Sequence, residues 1–133
     1  MRMTRPLHIT EQTDYSALPW PPAPFCALVI APDPINENAK SNLSHALVDA
    51  GCISMGAWGP DSSAWDDAGD YACILTADLQ LRNTPVDMIT WWFDRDPLDT
   101  AIEFAKRYAR CNDHAPLLIL TFDPNLGFGA ALA

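Results

Sequence analysis

The sequence predicts an α/β fold: a three-layer sandwich around a mainly parallel, four-stranded sheet of the flavodoxin-like or Rossmann-like kind, preceded by an extended Pro-rich N-terminal arm. Three observations lead there. Four short apolar runs of strand length punctuate the chain, and between them lie stretches whose apolar residues recur every three or four positions. Pro, Gly, Asn or Asp stands at nearly every junction. Strands that alternate with helices imply parallel pairing, because a parallel neighbour is reached only through a right-handed crossover.

With 133 residues, 49% of them hydrophobic, the chain suits one domain, placed at 25–126 between an arm at 1–24 and a Gly-rich, loosely ordered tail at 127–133. The arm holds Pro6, Pro19, Pro21, Pro22 and Pro24, which bar a helix. Trp20 is the residue to pin it to the domain, and His8 with Ile9 can add a short edge strand.

Residues 25–31 (FCALVIA) form the first core strand, stopped by Pro32-Asp33-Pro34. Asn36 caps the next helix, Ala39, Leu43, Ala46, Leu47 and Ala50 make its inner stripe, and Gly51 supplies a left-handed stop. Residues 52–58 (CISMGAW) are the second strand, closed by Gly59-Pro60-Asp61. A helix capped by Asp61 or Ser62 follows, with Trp65, Ala68, Ala72, Leu75 and Leu79 on one face; this spacing favours a helix to about Asp78 over a strand near Cys73.

After a loop through Arg82-Asn83-Thr84-Pro85, residues 86–93 read as the central strand, apolar on both faces. Asp96 is the expected cap and Pro97 the first residue of the third helix, whose stripe is Leu98, Ala101, Ile102, Ala105, Tyr108 and Ala109. A turn at Asn112-Asp113-His114 leads to the fourth strand, 116–122.

A net charge of -9, carried mostly by aspartate, disfavours nucleic acid and anionic membrane and favours a basic protein partner. No apolar run approaches a membrane span and MRMTRPLHIT lacks a signal-peptide core, so a cytoplasmic location is expected. Cys26, Cys52, Cys73 and Cys111 show no paired spacing and read as buried, reduced thiols.

Ligands of parallel sheets bind outside the carboxyl ends of the strands. The residues predicted there are Asp33, Trp58, Asp61, Asp94, Arg95, Asp96 and Asp123. Turn and cap roles are the simpler account of the aspartates, so neither a metal nor a cofactor is expected; if an ion binds, Asp33, Asp61, Asp94 and Asp96 would hold a hard cation such as magnesium. A receiver domain is rejected, because Asp33 has no acidic neighbour and no lysine follows the fourth strand. There is no G-x-S-x-G, Gly127-Phe128-Gly129 is not a dinucleotide loop, and no Walker lysine is present. His8, His45 and His114 suggest no catalytic pairing. Among Trp58, Trp65, Trp91 and Trp92, the pair expected beside a surface turn is Trp58 and Trp65.

The segments WGPDSSAWDDAGDYA (58–72) and MITWWFDRDPLDTAIEFA (88–105) resemble the two recurring blocks of an uncharacterised bacterial family of small acidic α/β proteins. That resemblance implies the same fold and no assigned activity. It also implies a histidine at the strand end held here by Trp92 or Phe93. The functional expectation is a non-catalytic, immunity-type or accessory protein that meets its partner through Trp58, Asp61, Trp65, Asp94, Arg95 and Asp96. A cation-dependent enzyme or small-ligand binder at the strand ends is the alternative, and self-association through a sheet edge or the arm is a third reading.

Overall fold

The computed structural model describes residues 6–79 and 87–125, so the 127–133 tail and the loop at 82–85 lie outside the described residues. Five strands are present there: β1 (Leu7–His8), β2 (Phe25–Ile30), β3 (Cys52–Trp58), β4 (Ile89–Phe93) and β5 (Leu117–Thr121). They form one all-parallel sheet in the order β1-β5-β2-β3-β4. Helices α1 (Glu37–Ala50) and α2 (Ser63–Leu79) cover one face, and α3 (Leu98–Cys111) covers the other. The fold is thus α/β and parallel as expected, but the sheet has five strands, not four.

β2 is the true centre, buried along its whole length, with Phe25, Ala27 and Val29 facing α1 and α2 and Cys26, Leu28 and Ile30 facing α3. β4, expected at the centre, is an edge strand, and none of its residues from Ile89 to Phe93 is fully buried. The misplacement has a physical cause. A strand apolar on both faces reads as doubly covered, whereas here α3 lies across β2 and β3 and β4 meets only its aromatic margin.

The local signals of α1 hold: Asn36 Oδ1 accepts from the Ala39 amide at 2.7 Å, and Gly51 is left-handed at φ 93°. α2 is continuous from Ser63 to Leu79, which settles Cys73 as helical. The α3 cap is corrected: Pro97, not Asp96, occupies the cap position and no side chain caps the helix. Asp96 contributes its main-chain carbonyl to Trp58 instead.

The described part of the arm is integral to the domain. β1 pairs with β5, Ile9 and Tyr15 are buried in the core, and Trp20 stacks on Phe25 with ring centroids 6.0 Å apart. The Tyr15 hydroxyl donates to the Thr10 carbonyl at 2.7 Å. Cys26 and Cys52 are buried free thiols, but Cys73 is half-buried and Cys111 exposed, so the expectation of four buried thiols fails for the helical pair.

Burial, followed by the charge of Glu11, pushes the Tyr15 phenol from 10.0 to about 12. Burial pushes the Cys26 thiol from 9.0 to about 11 and moves Cys52 in the same direction. In each case the folded state prefers the protonated form, so the stability linked to these groups is complete below the ordinary value and is lost as pH rises through the raised one. Urea unfolding is therefore expected to show stability falling from pH 9 to pH 12 across the windows set by Cys26 and Tyr15. Stability independent of pH over that range would contradict the burial of both groups.

Candidate functional site

In the order β5-β2-β3-β4, the connections after β2 and β3 run over one face and the connection after β4 returns beneath the other. The connections diverge between the adjacent strands β3 and β4, and it is outside such a pair of strand ends that a parallel sheet forms its ligand crevice. A cleft of about 220 Å³ opens instead outside the ends of β2 and β5, lined by Glu11, Pro32, Asp33, Ile35 and Phe122 among others. The chain itself occupies its most anion-attracting point. Glu11 Oε2 accepts from the Asn36 amide at 2.9 Å, beside the Asn36 cap of α1.

α1 also carries a buried cation. Lys40 is 1% exposed, with Nζ 2.9 Å from Asp61 Oδ2 and 2.9 Å from Glu37 Oε1. Burial pulls its pKa down, but hydrogen bonds and charge from Asp61 and Glu37 outweigh that and leave it raised. Asp61 therefore fastens the β3–α2 loop to α1. Asp33 is exposed on the loop after β2, and Asp94 and Asp96 are exposed together on the bend after β4. Among the described residues no three His, Cys, Asp or Glu side chains come together closely enough to hold a metal ion.

Of the predicted surface residues, Trp58 and the Asp94-Arg95-Asp96 bend are brought together, since Trp58 Nε1–H donates to the Asp96 carbonyl at 2.8 Å. Asp61 turns instead toward Lys40. Trp65, expected beside a surface turn, is 1% exposed and packs in the core 6.1 Å from the Phe122 ring. Its position on the inner stripe of α2 outweighs its nearness to the turn. At the same helix start, Ser62 Oγ and Trp65 Nε1 are buried without a hydrogen-bond partner among the described residues.

Besides Tyr71 and Ile74 on α2, the exposed large hydrophobic residues lie along β4 and the adjoining side of α3, where Ile89, Trp92 and Phe104 are 48%, 44% and 39% exposed. Phe104, on α3, sits 4.6 Å from Trp91 and 5.4 Å from Phe93, both in edge-to-face geometry, and stands beside Tyr108. A groove of about 440 Å³ runs past Phe93, Phe104, Asp99, Glu103 and Arg107. Trp91 anchors the cluster: its indole lies over Gly56, its register partner on β3, and donates to Ser54 Oγ at 2.9 Å. A side chain at Gly56 would collide with that ring, its Cβ lying 2.1 Å from the indole. On the opposite face of β4, Thr90 donates to Asp66 of α2.

Sequence reasoning passed over Phe104 and Lys40. Phe104 stands just outside the apolar stripe of α3, and a large aromatic off the stripe was the available signal. Lys40 stands inside the stripe of α1, three residues before Leu43, which was equally visible.

Two stability measurements test this geometry. Gly56→Ala is expected to cost roughly 1–3 kcal/mol, and much less when combined with Trp91→Ala, because the collision is with that ring. Asp61→Ala, which leaves a buried ammonium held only by Glu37, is expected to cost about 2 kcal/mol, whereas Lys40→Met is expected to stay within about 1 kcal/mol. Equal costs for that second pair in urea unfolding would contradict the buried-cation account.

No curated protein matches the chain, and no solved structure matches it. The family described as a domain of unknown function, DUF7684, matches residues 5–125. That span takes in every strand and helix of the sheet together with the aromatic edge, and the chain belongs to the DUF7684 family.

Proposed function

We propose that this protein is a non-catalytic interaction domain, of accessory or immunity type, that docks another polypeptide along the β4 edge and the adjoining aromatic side of α3. The observation that carries the reading is the coincidence of exposed Ile89, Trp92 and Phe104 with a strand edge whose main-chain groups are unpaired among the described residues. Apolar side chains clustered at one edge favour a protein contact, and an open strand edge adds directional hydrogen bonds.

The rim is acidic, with Asp87, Asp94, Asp96, Asp99 and Glu103 all exposed near the edge. Desolvation first, and then the charges of Asp66, Asp67 and Asp87, hold the Asp70 carboxyl above its usual range. Such a rim selects basic groups on whatever docks and, with a net charge of -9, opposes phosphate backbones. No helix among the described residues is long and apolar enough to cross a membrane. The strand-end carboxylates lend no matching support to the cation-dependent alternative, since Asp61 is engaged by Lys40 and no three potential ligands come together among the described residues.

Photo-crosslinking separates this surface from the rest of the molecule. Trp92→p-benzoylphenylalanine in cells expressing the chain is expected to give discrete protein adducts, and the same replacement at Asp49, exposed on α1, is expected to give none. Adducts absent at position 92, or equal at the two positions, would remove the reading.

A further inference from the structure

The two edges of the sheet are built differently. β1 is two residues long and follows Pro6, so it offers little ladder to a neighbour. β4 runs for five residues in unbroken register with β3 and contains neither proline nor charge. The direction of its free groups follows from the pairing: the Phe93 carbonyl accepts from the Gly59 amide at 3.1 Å, so Phe93 faces β3. In a parallel ladder both polar groups of a residue face the same neighbour, and successive residues alternate. Within the strand Ile89, Trp91 and Phe93 therefore face β3, and Thr90 and Trp92 turn their N–H and C=O groups outward.

Resting on the interaction-surface reading above, we infer that the occupant of this edge is a second copy of the chain, its β4 antiparallel to the first across a twofold axis at Trp91. An isologous pair of this kind joins two five-stranded sheets into one. Outward-facing residues must meet outward-facing residues, which restricts the axis to Thr90, Trp91 or Trp92. With the axis at Trp91, Thr90 meets Trp92 of the second copy at two symmetry-related places, so both outward-facing residues of the strand find partners. Ile89 then lies against Phe93, which keeps the apolar surface on the α3 side continuous.

The same register sets Asp87 opposite Arg95 at both ends of the pair. Both residues are exposed, and Arg95 has no ion-pair partner among the described residues. An axis at Thr90 would put Asp87 against Phe93, and one at Trp92 would put Ile89 against Arg95. The basic group that the acidic rim calls for is thus supplied by Arg95 of the second copy. The net charge of -9 on each copy opposes association at low ionic strength, and physiological salt screens that repulsion beyond about 8 Å.

Sedimentation velocity at submillimolar concentration and physiological salt tests the inference. The full chain is expected to sediment at twice its 14.6 kDa. Arg95→Asp and Asp87→Arg, both at exposed positions and checked for folding by circular dichroism, are each expected to raise the dimer Kd by roughly tenfold or more, because each places like charges at both ends. An equimolar mixture of these two variants is expected to recover the dimer as a one-to-one pair, since carboxylate then opposes guanidinium at both ends. Trp92→Lys is expected to give a monomer. A monomeric wild-type chain, a dimer indifferent to the charge reversals, or a mixture no better than its components would overturn the inference. Were the chain monomeric while Trp92→p-benzoylphenylalanine still gave adducts with a different protein, the surface reading would survive and the second copy would not; failure of both experiments would remove both.

Discussion

A parallel sheet has to be covered on both faces, and among the described residues three α-helices must cover five strands. Nearly every other feature of the molecule follows from that shortage. α1 and α2 fill one face over β2, β3 and β4, while α3 alone serves the other beneath β2, β3 and β5. At the β5 side the N-terminal segment makes up the deficit with Ile9, Tyr15 and Leu18. At the β4 side no element does so among the described residues, and the aromatic rings of Trp91, Phe93, Phe104 and Tyr108 shield one another instead. The exposed edge is what remains when that supply of helices runs out.

Charged and polar groups at the carboxyl ends of the strands are used to tie loops. Lys40 draws Asp61 to α1, Glu11 closes on the start of the same helix, and the Trp58 indole is tied to the β4–α3 bend. Each tie joins segments far apart in sequence across the position where related sheets receive ligands. A loop fastened through a buried ammonium and two carboxylates is held by partners that replace the water it has lost. The acidic residues here thus divide between ties at the strand ends and the rim of the β4 edge.

Local signals were legible in the sequence wherever a single residue decides the backbone. Asn36 and Gly51 bound α1, Pro32 ends β2, and the three-and-four spacing through Trp65 and Ala72 carried α2 past Cys73. The order of strands in the sheet was not legible, since apolar residues on both faces of Ile89–Phe93 describe a covered strand and a sticky edge equally well. The predicted site was read from chain position, which located the Trp58 and Asp94–Asp96 junction. It missed the burial of Trp65 because helix phase, not distance from the turn, governs which way that indole points. Phe104 entered the site through tertiary contact with Trp91, which no local pattern encodes.

β5 lies between β1 and β2, so the strand nearest the end of the described chain is inserted between its two earliest strands. Leu7 meets Leu120 and Cys26 meets Leu117, and neither contact exists until almost the whole domain has been synthesised. β2 can gather β3 and α1 early through short connections, but one side of its backbone stays open in the nascent chain until β5 arrives. The N-terminal segment has no strand to join before that moment. Folding of this domain on the ribosome is therefore weighted toward a late closing step, and contacts of such long sequence separation belong to the slower part of the folding range.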